Sequence, residues 1–153
     1  MAVWRPPQDI RVKVIGLSFR GTRLLAAEVE DDGGGIKGYR PLGGSVEFGE
    51  TRDQALAREF REELRTPIEI RGPWHVFENI FVHQGVQGHE IVFAAEVDLL
   101  DRSHYESETI AFNEMDGLPC TARWIDPFAI AGLGRRLYPD GLLDVLRRRL
   151  PQG

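Results

Sequence analysis

The sequence predicts a mixed α+β fold. Three observations carry the prediction: strand-like alternation in the first thirty residues and again between Ile68 and Ile125, a single central run of helix formers, and a leucine-rich amphipathic run at the end. At 153 residues the chain has the length of one domain, 1–153, and is long enough to bury a core.

The elements follow in order. Ile10 to Arg20 interleaves apolar residues with Arg11 and Lys13, and Leu24 to Glu30 returns as the second strand of a hairpin. Asp31-Asp32-Gly33-Gly34-Gly35 reads as a mobile loop. Thr51-Arg52-Asp53-Gln54 has the spacing of a capping box, so a helix is expected from about Thr51 to Arg65, ending where Pro67 biases Thr66 away from helical angles. Ile68 to Ile70, Trp74 to His83 and Gly88 to Leu99 read as separate strands, with a turn at Gln84–Gly88. Asp101 to Pro119 reads as one long loop, Thr121 to Ile125 as a last strand, and Asp140 to Leu150 as a closing helix.

Composition excludes several classes. With 42% hydrophobic and 28% charged residues the chain is of globular type, and no run approaches the length of a membrane span. A net charge of -5 gives no general attraction for nucleic acid or an anionic membrane, so neither is expected as a partner. One cysteine, Cys120, and a start without a secretion signal point to the cytoplasm.

The chemistry concentrates on the central helix. At 100° per residue, Glu59, Glu62 and Glu63 share an arc of roughly 100° beside an apolar stripe of Leu56, Phe60 and Leu64. The pairs Glu59/Glu62 and Glu59/Glu63 repel at about 0.2–0.5 kcal/mol each, a cost that a cation removes. Carboxylates without histidine or cysteine suit a hard, oxygen-seeking ion such as Mg²⁺. The plainer reading, a solvated helix face, weakens when the upstream residues are added. Gly44, five residues, Glu50, seven residues, Arg58-Glu59-Phe60, one residue and Glu62-Glu63 form one spaced pattern.

That pattern resembles the Nudix box of the Nudix hydrolase family. Arg65 and Thr66 stand where the family usually has a glycine and an aliphatic residue, so the helix is expected to end by means other than a left-handed cap. Arg40-Pro41-Leu42-Gly43-Gly44 is a variant of the family's Leu-Pro-Gly-Gly.

The resemblance implies an α/β/α sandwich with a mixed central sheet, and hydrolysis, dependent on Mg²⁺ or alternatively Mn²⁺, of the diphosphate linkage in a nucleoside diphosphate joined to a group X. By matched position it makes Glu59, Glu63 and the Gly43 carbonyl metal ligands, Glu62 a further ligand or water-positioning base, and Arg58 with Glu50 an orienting ion pair. Gly44 would let substrate approach the backbone, and Arg40 would hold a phosphate. One more acidic residue is expected from downstream, among Glu78, Glu90, Glu108 and Glu114, with Glu114 preferred. The competing reading is a non-catalytic nucleotide-binding or sensor domain on the same fold. A homodimer is compatible with either. Tyr39, Phe48, Trp74 and Phe77 are read as core aromatics in preference to base-stacking ones.

Overall fold

The computed structural model describes residues 3–114 and 117–149. Nine strands form one mixed sheet: β1 (Ile10–Leu17), β2 (Phe19–Arg20), β3 (Arg23–Glu30), β4 (Ile36–Ser45), β5 (Ile68–His83), β6 (Val86–Leu99), β7 (Thr109–Asn113), β8 (Pro119–Ile125) and β9 (Arg136–Leu137). Their order is β5-β6-β1-β4-β3-β8-β7, with β2 on β3 and β9 on β4. The β1/β6 and β4/β9 pairs are parallel and the rest antiparallel.

Two helices cover opposite faces. α1 (Arg52–Leu64) buries Leu56, Phe60 and Leu64 in a cluster with Val14, Leu25, Leu42, Val97 and Trp124. α2 (Leu142–Arg149) buries Leu142 and Leu146 in a second cluster with Ile15, Leu24, Tyr39 and Ile125. Strand alternation explains the division, because Val14 and Ile15 leave β1 on opposite sides. The predicted end of the closing helix, Leu150, lies outside the described residues. No helix among the described residues is long and apolar enough to cross a membrane.

Expectations for Ile68–His83 and for the segment from Asp101 are corrected, and a segment given no element above is assigned: Ile36 to Ser45 is a strand, although Gly38, Pro41, Gly43 and Gly44 give it the composition of a loop. Those glycines mark close backbone approach: a Cβ on Gly43 would collide with the Val14 carbonyl, and one on Gly38 with that of Arg136. Ile68 to His83 is one strand, interrupted only by a register shift between Arg71 and His75. The expected loop from Asp101 contains a short 3₁₀ turn, Arg102–Tyr105, and β7. The triglycine segment is a loop, as expected, in which Asp31 Oδ1 accepts from Gly33 and Gly35 N–H, each at 2.9 Å.

Candidate active site

The site begins with the geometry of β4. Its ladder with β3 ends at Ala26↔Pro41, while its ladder with β1 runs on to Lys13↔Ser45. Leu42 to Ser45 therefore continues along β1 alone, and the loop Val46–Glu50 leads from it into α1. Thr51 caps α1 as expected: its Oγ1 accepts from Gln54 N–H at 3.1 Å and Gln54 Oε1 accepts from Thr51 N–H at 3.0 Å.

At the other end the helix departs from expectation. Arg65 occupies the left-handed region (φ 54, ψ 37), so the left-handed cap is present without glycine. Tertiary contacts hold it there. His104 Nε2–H donates to the Leu64 carbonyl at 3.0 Å. The buried Thr66 hydroxyl donates to Pro67 O at 2.8 Å and accepts from Asp101 N–H at 2.9 Å.

Between these caps, Arg58 ties the helix to the loop and the strand. Its Nε and Nη2 bind both oxygens of Glu50 at 2.7 and 2.9 Å, Nη2 also donates to Ser45 O at 2.9 Å, and Nη1 reaches Glu59 at 2.9 Å and Glu62 at 3.3 Å. The expected Arg58–Glu50 pair thus forms, and its hydrogen bonds hold the Glu50 pKa down at about 2. Glu59 is buried at 8% exposure, with its carboxyl group in the space that a Cβ on Gly44 would fill. Glu62 stays half exposed beside Arg58.

Glu63 is the anomaly. Both of its carboxyl oxygens are buried and neither has a hydrogen-bond partner, a costly arrangement for an anion. Burial, and after it the adjacent Glu59 carboxyl, raise its pKa to about 8 against the opposite pull of Arg40 and Lys13. Two neighbouring carboxyls, one without partners, have the donor chemistry of a divalent-cation site, so the residues fit such an ion. Among the described residues no three carboxylate, histidine or cysteine side chains gather around one point. Glu59 and Glu63 would need oxygens from backbone, water or ligand to complete a coordination shell.

Arg40 and Glu114, both predicted on the substrate side, are brought together in an ion pair across 74 residues. Of the other downstream candidates, Glu78 is exposed and Glu108 pairs with Arg20 at 3.6 Å, whereas Glu90 binds Arg11 at 2.6 Å and acts on Lys13. Tyr39 is in the core and Trp74 and Phe77 pack against it, but Phe48 is a fully exposed side chain on the loop between β4 and α1, contrary to expectation. Lys13 was not singled out by sequence. Its alternation with Val12 and Val14 marks a polar strand face, and only the β1/β4 register places it beside Ser45. Two open hollows, about 230 Å³ beside Ile10 and His89 and about 280 Å³ beside Arg135 and Leu143, are not lined by the carboxylates.

A family model described as the NUDIX domain matches residues 8–139. Among solved structures the chain is similar to the E. coli ORF135 protein, at 21% identity over 94% of this chain and 95% of that one, with a TM-score of 0.57. It is also similar to a NUDIX hydrolase from Nitrosomonas europaea, at 18% identity over 92% and 87% of the two chains, TM-score 0.51. The E. coli dihydroneopterin triphosphate pyrophosphohydrolase aligns at 19% identity over 91% and 95%, TM-score 0.51. At such identities the likeness is one of fold. No curated protein matches the sequence. The family model spans most of the chain, and within its span lies the whole Gly44 to Glu63 pattern: the chain belongs to the NUDIX family and is a Nudix-type hydrolase.

Proposed function

We propose that the protein hydrolyses, with Mg²⁺, the diphosphate linkage of a nucleoside diphosphate joined to a further group. Divalent metal use is general in the family. The observation that carries the reading is Glu63, whose two buried and partnerless oxygens sit beside Glu59.

In this reading Glu59, Glu63 and the Gly43 carbonyl hold the ion, with Mn²⁺ as an alternative to Mg²⁺. The ion supplies charge neutralisation at the diphosphate and a lowered pKa for attacking water. Glu62, half exposed next to Arg58, would be the carboxylate that accepts a proton from attacking water. Arg58, fixed by both oxygens of Glu50, holds Glu59 and Glu62 in place. Arg40 contacts a phosphate, and Glu114 orients its guanidinium. The absence of a side chain on Gly44 keeps room for the Glu59 carboxylate. A cytoplasmic setting suits a chain with a single cysteine.

The test is a hydrolysis screen with Mg²⁺ over sugar nucleotides, dinucleotides, ADP-ribose and modified nucleoside triphosphates, run beside Glu63→Gln. Mononucleotide release by wild type and not by the variant supports the enzyme. Tight binding without turnover on any compound favours the sensor reading instead.

A further inference from the structure

Arg58, Arg40 and Lys13 act on the glutamate pair and Arg11 acts on Lys13, and the three arginines are already committed to carboxylates. Arg58 binds Glu50, Arg11 binds Glu90 at 2.6 Å, and Arg40 binds Glu114. Lys13 is the exception: among the described residues no carboxylate oxygen lies within 4.0 Å of its ammonium, which donates one long hydrogen bond, 3.3 Å, to Ser45 Oγ. An ammonium carries three donors, so two are left without a protein acceptor in a half-buried position. Desolvation of such a cation costs free energy unless an anion arrives to accept from it.

The surroundings define that anion. Lys13 lies on β1 directly opposite Ser45, at the end of the β4 segment that carries Gly43 and Gly44. Its electrostatic neighbours are Glu90, Arg11, Arg40 and Glu59, and it in turn acts on Glu63. It therefore shares one field with the glutamate pair, although its side chain leaves β1 on the face opposite Val14 and α1. Gly44 lets the Glu59 carboxyl pack against the β4 backbone one residue from Ser45, and Leu42 to Ser45 has no β3 partner along its other edge. Mobile chloride would satisfy charge, but the place of Lys13 opposite Ser45, one residue along β4 from the Glu59 carboxyl at Gly44, selects a ligand that also binds a divalent ion there.

We propose that Lys13 is a substrate-binding residue that donates to a non-bridging oxygen of the diphosphate lying along the Gly43–Ser45 edge. The inference rests on the hydrolase reading of the same site, yet it is tested separately by using magnesium imidodiphosphate, a diphosphate analogue that cannot be hydrolysed.

Calorimetric titration of wild type, Lys13→Met and Lys13→Arg with that probe gives the first readout, and Mn²⁺ affinity in the absence of the probe gives the second. Loss of a charge-assisted hydrogen bond should weaken probe binding by about 10- to 100-fold in Lys13→Met. Lys13→Arg should restore part of it, with Mn²⁺ affinity changing less than about twofold in both. Equal probe affinity in wild type and Lys13→Met overturns the proposal, as does a parallel fall in Mn²⁺ affinity, which marks a merely structural role. Absence of probe binding by wild type overturns it too. If the probe result holds while wild type hydrolyses no diphosphate, the hydrolytic reading fails and the Lys13 assignment stands.

Discussion

Glu63 allows the site to be tested without substrate. Its carboxyl group titrates at about 8 in the folded chain against an ordinary 4.5, so between those values the folded state holds a proton that the unfolded chain has released. Stability of the metal-free protein must then fall as pH rises from about 4.5 to about 8 and level off above. Glu63→Gln removes the penalty. In EDTA its melting temperature should exceed that of wild type by a margin that opens across this window, and Mg²⁺ should no longer raise it. Superimposable pH curves for the two proteins would count against the burial argument. At this scale the sequence was informative where neighbours in space are neighbours in the chain. Glu50, Arg58, Glu59, Glu62 and Glu63 lie on one loop and one helix, where spacing fixes geometry. Lys13 and the Arg40–Glu114 pair depend on strand register, a tertiary property that spacing does not encode.

At the scale of elements, the helix and its N-terminal cap were legible because capping is local chemistry. β4 was not, since glycine and proline lower local strand propensity and only pairing with β1, β3 and β9 overrides it. The same close packing makes Gly44 a sharp test. Gly44→Ala places a methyl on the Glu59 carboxyl group, so Mg²⁺ affinity and turnover should fall at least tenfold while circular dichroism stays native in shape. The helix end gives the opposite sign. Arg65 in the left-handed region carries strain of about 1–2 kcal/mol, which Arg65→Gly relieves at a cost of about 0.4–1 kcal/mol in unfolded-chain entropy. The net gain lies between about 0 and 1.6 kcal/mol, and at about 2–4 °C per kcal/mol its upper end raises the melting temperature by about 3–6 °C. Arg65→Val, β-branched at a positive φ, should lower it. Equal melting temperatures for the three proteins would show that His104 and Thr66 determine the turn by themselves.

Across the whole molecule, the two faces of the sheet divide labour, and core substitutions should separate them. Phe60 fills the α1 face: at 1% exposure its ring lies where a Cβ on Gly16 would come within 2.6 Å, so it fixes the height of α1 over β1 and with it Glu59 over Gly44. Leu146 fills the α2 face and is fully buried in the second cluster, on the side of the sheet away from α1. Phe60→Ala should cost about 3–5 kcal/mol and Leu146→Ala about 2–5 kcal/mol, a large part of the stability of an ordinary domain in either case. Loss of stability alone cannot distinguish them, so the comparison belongs in conditions where urea titration shows both variants more than nine-tenths folded. There Phe60→Ala should bind Mg²⁺ at least several-fold more weakly than wild type, because α1 can settle into the space left by the ring and carry its carboxylates out of register with the Gly43–Gly44 strand. Leu146→Ala should bind it as wild type does. Equal loss in both variants would mean that the sheet transmits strain from one face to the other, and equal retention that the Arg58 tether to Glu50 and Ser45 holds the glutamates without help from the core.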